Sequence, residues 1–236
     1  MQSASKHLWA IDAFLDRGHC LQLLKAIAQY RRTVSLPQIY RPLTERSLRY
    51  SVINGRQIAE SFPELRLLYQ RIKSLAEEKS GLELQFMRDE LVGININITP
   101  PGGEYRWHYD RNALTAILFL NEVEGGETEI YPGYRLKLKN QRHSKLQKKL
   151  DGWLMKPWMR QWLGRKNSIA PQTGRVLLMR GDECLHSVCR VQGKEDRINI
   201  LFSYERPGDQ NPQEARLDEY LYTDQPVIGR DPNYLE

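Results

Sequence analysis

Trp107-His108-Tyr109-Asp110, with a lone His186 further along, is the stretch on which the reading of this chain turns. Side chains on a β-strand repeat every second residue, so His108 and Asp110 project from one face, and a second strand can bring His186 alongside them. Two imidazoles and a carboxylate so placed occupy one face of an octahedral cation and leave three positions open, the arrangement of non-haem iron(II) centres. Alone, His-x-Asp is equally the mark of a structural histidine–aspartate hydrogen bond. The residues around it favour the metal.

Arg197 opens the run Arg197-Ile198-Asn199-Ile200-Leu201-Phe202-Ser203-Tyr204, and Ile94, Ile96 and Ile98 alternate with Asn95, Asn97 and Thr99. Both runs have the period of two that marks strands. A half-buried strand ordinarily turns its apolar side inward and its polar side to water. The reverse is expected here. If Arg197 points into a cavity with Asn199 and Ser203, then Asn95, Asn97 and Thr99 face it too, and the isoleucine faces lie outside, covered by helices. Ordinary polar strand residues bonded to neighbours would carry the same pattern. Further strands are expected at Leu114 to Leu120, Glu127 to Tyr131 and Arg175 to Arg180, with Gly125-Gly126 as the turn between the first two.

The ordered pieces resemble a known family, the 2-oxoglutarate and Fe(II)-dependent dioxygenases, and within it the prolyl 4-hydroxylase-like branch. They are Trp107-His108-Tyr109-Asp110; Phe119-Leu120-Asn121 followed by Gly125-Gly126-Glu127-Thr128; Pro171 with Gly174; and His186 through Gly193 to Arg197. Several motifs in order are far more specific than any one. The resemblance implies an α+β fold, a double-stranded β-helix (jelly-roll) barrel, with Fe(II), 2-oxoglutarate and O2 as cofactor and co-substrates. It makes His108, Asp110 and His186 the iron ligands and Arg197 the partner of the distal carboxylate of 2-oxoglutarate, a role suited to a planar, permanently charged guanidinium. Thr128 resembles a position near the co-substrate, and Asn97, Thr99 and Asn199 are further candidates for contact with it. Prolyl hydroxylases commonly carry lysine at the anchor, whereas Lys194 comes three residues too early here. Many relatives have serine two positions after the arginine, where this chain has Asn199. Halogenating relatives replace the carboxylate ligand by a small residue, so Asp110 favours hydroxylation over chlorination.

Composition sets outer bounds. A chain of 236 residues is long enough for a single domain with its own core. No run approaches 18 apolar residues and no signal-like segment follows Met1 to Lys6, so a soluble, cytoplasmic protein is expected. Cys20, Cys184 and Cys189 make no even framework, in keeping with a reducing compartment. Cys184 and Cys189 flank His186 in the manner of a zinc knuckle, but no second ligand cluster accompanies them. Cys184 is otherwise a small filler on the metal-facing side of its strand, with some exposure to oxidation.

The expected organisation is residues 1–81 as mainly helical support, 82–206 as jelly-roll core and 207–236 as an irregular tail. Residues 12–30 repeat apolar side chains at helical spacing, and 31–56 read as loop or extended structure. A second helix is expected after Ser61, with Ser61 and Glu64 as a capping box and Gly81 as its end. Residues 134–168 form an insert with eleven Lys and Arg against Asp151 alone, in a chain whose net charge is +6. Trp153, Trp158 and Trp162 lie within it.

Two readings of the basic, Trp-rich insert stand side by side: helices whose apolar side packs on the barrel, or a lid at the iron mouth that recruits an anionic, lipid-like or carrier-bound substrate or touches a membrane surface. Three function classes follow. The leading one is a small-molecule hydroxylase. A nucleic-acid demethylase is the second, since Arg197-x-Asn199 partly matches the motif of alkylated-base repair dioxygenases and the insert suits a phosphate backbone, although Ser203 replaces that motif's later arginine. The third is a non-catalytic adaptor for membrane or nucleic acid.

Overall fold

The computed structural model describes residues 6–42, 45–138, 145–209 and 220–225. In chain order these form β1 (Leu8–Ile11), α1 (Arg17–Thr33), β2 (Gln38–Arg41), β3 (Leu48–Ile53), α2 (Gly55–Ser61), α3 (Leu65–Ser80), β4 (Gln85–Phe86), α4 (Glu90–Gly93), β5 (Ile94–Thr99) and β6 (Tyr105–His108). β7 (Leu114–Phe119), β8 (Thr128–Tyr131), α5 (Lys145–Leu154), α6 (Pro157–Leu163), β9 (Asn167–Ile169), β10 (Val176–Met179), β11 (Leu185–Val188) and β12 (Arg197–Glu205) follow. The major sheet runs β1-β10-β7-β12-β5-β3-β2, with β4 also on β12, and the minor sheet runs β6-β11-β8-β9. Every pairing is antiparallel. The expected α+β jelly roll is present.

The register explains the reversed polarity of the long strands. Asn199 pairs with Asn97 and Arg197 with Thr99, so the polar faces of β12 and β5 lie side by side and look toward the minor sheet. The opposite faces, with Ile96, Ile98, Ile200, Phe202 and Tyr204, join Leu23 and Ile27 of α1, Ile58 of α2 and Leu65, Ile72 and Ala76 of α3 in the largest core cluster. Covering helices therefore give the isoleucine face its apolar environment. Truncating the fully buried Ile72 to alanine would cost about 2–5 kcal/mol. Between the sheets a smaller cluster of Ile117, Phe119, Ile130, Leu177, Met179 and Cys184 closes one side of the barrel.

Several local expectations are corrected. The first helix starts at Arg17, capped by Asp16, which accepts from the His19 amide; Leu15 lies before it, held by a bond from its own amide to Gly174 O. Ser61 ends α2 instead of capping the next helix, and Glu64 precedes α3 without a side-chain capping bond. The capping box lies upstream, at Asn54 and Gln57. Gly81 does end α3, with φ of 66°. The region 1–81 also supplies β1, β2 and β3 to the major sheet, so it is more than helical support. Gly125-Gly126 joins strands of different sheets, β7 and β8, and is a crossover between sheets, not a hairpin turn. Within the tail, residues 220–222 form a helical turn.

The insert forms two helices that pack on the barrel, as one of the two readings expects, but through a face that is partly polar. Arg160 of α6 stacks on Trp107, 4.4 Å from its ring, and shares Glu45 with the Trp107 indole N–H. Leu185, Tyr131, Tyr134 and Met155 complete this contact on the face of the minor sheet opposite the interior. Lys139 to Ser144 lie outside the described residues. No helix among the described residues is long and apolar enough to cross a membrane.

Candidate metal centre and cavity

His108 ends β6 and His186 lies in β11, and the two are direct register partners across the minor sheet. Asp110 follows just beyond β6, its amide bonded to Gly181 O at 3.0 Å. His108 Nε2 lies 3.4 Å and His186 Nε2 3.6 Å from Asp110 Oδ1. Each imidazole is fixed from behind: His108 Nδ1 meets Arg106 O at 2.9 Å and His186 Nδ1 meets Cys184 O at 3.0 Å. Since a carbonyl only accepts, both Nδ1 atoms carry a proton, and each Nε2 is the ring atom turned toward the carboxylate. Three donor atoms thus converge within 4.8 Å of one another.

The carboxylate has its own support. Thr115 donates its hydroxyl to Asp110 Oδ2. Asn112 Nδ2 donates to Thr115 Oγ1 at 2.8 Å and to Leu114 O at 2.7 Å, which commits the threonine proton to the aspartate. Oδ1 is left for a cation. Gly181 sits so close that a Cβ there would stand 2.6 Å from Asp110 Oδ2. Burial alone would raise the Asp110 carboxyl, but His186, His108 and Thr115 hold it below the ordinary range. Burial and the neighbouring His108 push His186 down to about 4, which keeps it neutral and able to ligate. Two imidazoles and one carboxylate suit a divalent metal of intermediate hardness.

Asn97, Thr99, Thr128, Arg197 and Asn199 all line the cavity of about 510 Å³ that contains the triad. Arg197 is buried to 3% exposure. Its guanidinium lies over the Phe119 ring at 5.2 Å, donates to Asn199 Oδ1 and reaches Thr128 Oγ1 at 3.1 Å. Its Nε has no partner, and no carboxylate lies within ion-pair distance of it among the described residues. Burial pulls its pKa down to about 10, still well above neutrality. A buried cation held only by neutral groups is costly unless an anion joins it. Lys194 does not line the cavity.

The sequence reading did not find the rest of the cavity. Met87, Arg88, Asp89 and Val92 come from the segment around α4, and Leu221 and Tyr222 from the tail, which the reading left as an irregular wrap. Tyr109 also lines it, its hydroxyl buried without a partner. No described residue of 134–168 lines the cavity, so the lining lends the lid reading no support; Arg135 of the insert stacks on the lining residue Tyr109 at 5.0 Å. Cys184 is packed among apolar side chains, and burial pushes its thiol up to about 12, so it stays protonated and poorly reactive. The candidate metal-holding group among the described residues is the His-Asp-His set, without cysteine.

The family model described as the 2OG-Fe(II) oxygenase superfamily matches residues 94–204. The non-heme alpha ketoglutarate dependent carbocyclase SnoK from nogalamycin biosynthesis is similar in fold at TM-score 0.65 and 16% identity, over 95% of this chain and 90% of that one. The epimerase SnoN, solved with Fe3+, alpha ketoglutarate and nogalamycin RO, gives TM-score 0.66 and 15% identity over 96% and 88%. A Pseudomonas putida prolyl-4-hydroxylase gives 0.56 and 18% over 86% and 94%. No curated protein matches the sequence. Residues 94–204, just under half of the chain, match the 2OG-Fe(II) oxygenase superfamily, whose cofactors are iron and 2-oxoglutarate, and a prolyl-4-hydroxylase is among the proteins similar in fold.

Proposed function

We propose that this oxygenase hydroxylates an unactivated C–H bond of a small organic molecule of anionic or amphiphilic character, with succinate and CO2 as co-products. The observation that carries the reading is Arg197, a buried cation without a carboxylate partner among the described residues, in the same cavity as the His-Asp-His set. His108, Asp110 and His186 would hold the iron. Arg197 would take the distal carboxylate of 2-oxoglutarate through paired N–H donors, with Thr128 and Asn199 fixing the guanidinium plane and Asn97 and Thr99 offering polar contacts from β5. When bound, iron supplies the activation of O2 that couples decarboxylation of 2-oxoglutarate to insertion of one oxygen atom into the substrate.

The chain's own groups do the positioning. The Asn112–Thr115 pair holds one oxygen of Asp110 away from the metal position, which preserves the open coordination face. A cavity of about 510 Å³ falls in the range of small-molecule sites. Its lining joins Met87, Val92 and Leu221 with the charged Arg88, Arg111, Asp89 and Glu205, which suits a molecule with an apolar body and polar groups, an acidic one meeting the arginines. The origin of SnoK and SnoN in nogalamycin biosynthesis supports a small-molecule substrate from specialised metabolism. The basic insert lies on the far side of the minor sheet, so it offers no phosphate track into the cavity and lends no support to nucleic acid as substrate.

The test incubates iron-loaded protein with 2-oxoglutarate and a metabolite extract under air and follows succinate and product masses. A gain of one oxygen in a single metabolite, matched by succinate, is expected. A product lacking two hydrogens and gaining no oxygen would replace hydroxylation by desaturation or ring closure, and the absence of O2-dependent succinate would overturn the reading.

A further inference from the structure

The two helices of the insert are built inside out. An amphipathic helix on a protein surface turns its apolar stripe inward. α5 instead buries Gln147 and Asp151 together with Leu154. The Gln147 amide donates to Leu136 O at 2.9 Å and to Asp151 Oδ1 at 2.8 Å, and its oxygen accepts from the Leu138 amide at 2.8 Å. Arg135 closes the network on Asp151 at 2.6 Å. These polar groups are fully used inside, as burial demands. The outer face of α5 carries Leu146, 58% exposed, and Trp153, 46% exposed. α6 buries Met159 and Arg160 and leaves Trp158 at 56%, Trp162 at 82% and Leu163 at 53% exposure.

One exposed leucine needs no explanation, but three tryptophans and two leucines on two short helices do. The rings of Trp153 and Trp158 meet edge to face at 6.1 Å, so the apolar faces of the two helices are continuous. Lys145, Lys149, Lys156 and Arg165 are exposed around them. Among the described residues none of these four pairs with an acid, whereas Lys166 is engaged by Glu129. Exposed cations without acidic partners on the same two helices and their ends as an apolar patch are complementary to a surface that is anionic outside and apolar beneath.

We propose that α5 and α6 form an interfacial anchor that docks this oxygenase on an anionic phospholipid bilayer. Trp153, Trp158, Trp162 and Leu163 enter the headgroup boundary, where an indole keeps its N–H wet and its ring dry, and the lysines extend their stems to lipid phosphates. Exposed indoles beside long-stemmed lysines suit a polar–apolar boundary, which favours lipid over an acidic protein. Because no described insert residue lines the cavity, docking and turnover use separate surfaces.

The test uses the whole protein with vesicles of phosphatidylcholine alone or mixed with phosphatidylglycerol, read by co-sedimentation and tryptophan emission. Three of the five tryptophans are in the insert and Trp107 is buried, so the emission reports mainly on this patch. Binding to the mixed vesicles with a blue shift is expected, weakened at least tenfold at about 0.5 M salt. Trp158→Ser with Trp162→Ser should reduce partitioning about tenfold or more, and Lys149→Gln with Lys156→Gln should do likewise while flattening the salt dependence. Melting temperature and substrate-free 2-oxoglutarate turnover should stay unchanged in both. No binding to mixed vesicles, equal binding to neutral ones, tighter binding to polyglutamate than to vesicles, or a tryptophan-dependent dimer that hides the patch would each overturn the proposal. The lysine pair keeps the test decisive if the tryptophan pair unfolds.

Discussion

His108 and His186 are cross-strand partners in the ladder of β6 and β11, with ring centroids 4.0 Å apart. The distance between them along the chain is therefore irrelevant to the metal position: the ladder sets it, and Asp110 completes it from the loop just past β6. Loss of any one donor leaves two, too few for a facial site. His108→Ala, Asp110→Ala and His186→Ala should each lower Fe(II) affinity by about 100-fold or more, at or beyond the upper limit for outer-shell changes. Calorimetric titration with Fe(II) under nitrogen measures this, and normal affinity in any of the three would remove that residue from the ligand set.

Arg197→Met should separate co-substrate binding from metal binding. A charged hydrogen-bond pair contributes about 1.5–3 kcal/mol, so the apparent requirement for 2-oxoglutarate should rise by about 10- to 100-fold while iron still binds. Without co-substrate the same variant should melt no lower than the parent, since it removes a buried charge that lacks an acidic partner. Adding 2-oxoglutarate should raise the melting temperature of the parent and leave the variant unmoved. A variant that bound 2-oxoglutarate as well as the parent would shift the anchor to another cation.

Thr115 touches no cation position itself; it acts through Asp110. Thr115→Val keeps the shape and deletes the donor, so Fe(II) affinity should fall by about 10- to 100-fold, and Thr115→Ser should restore most of it. Equal affinities in the valine and serine variants would reduce Thr115 to a packing residue.

Acid should expose a second cluster. Burial would raise the Glu183 carboxyl, but Lys137, then Arg180 and His7, outweigh it and bring it down to about 2. The folded value lies below the ordinary 4.5, so the unfolded chain binds the proton first as pH falls. Glu183 therefore stabilises the fold above about pH 4.5, and that contribution is lost between 4.5 and 2. In melting curves of iron-free protein, Glu183→Gln should be less stable near neutrality and lose less on acidification. Parallel pH profiles for parent and variant would contradict this.

The chain by itself determined what rests on short-range pattern. A period of two marked β5 and β12, and the ordered motifs through Arg197 identified the barrel, because strand geometry translates directly into residue intervals; Asp110, expected on the strand with His108, lies instead just past the end of β6. Gly81 as the end of α3 was legible for the same reason, since only glycine takes a positive φ freely. Ser61 misled because a capping pattern competes with the burial of Phe62, which ends α2 and belongs to the helix-facing core. Only the tertiary structure decided the pairing of His108 with His186, the Asn112–Thr115–Asp110 relay, and the entry of Leu221 and Tyr222 into the cavity. It alone turned the insert inside out, since Gln147 and Asp151 are tolerable inward only where Arg135 and the backbone of Leu136 and Leu138 meet them. Those outcomes depend on contacts between segments far apart in sequence, where the partner of a polar or apolar side chain is set by packing and leaves no trace in local spacing.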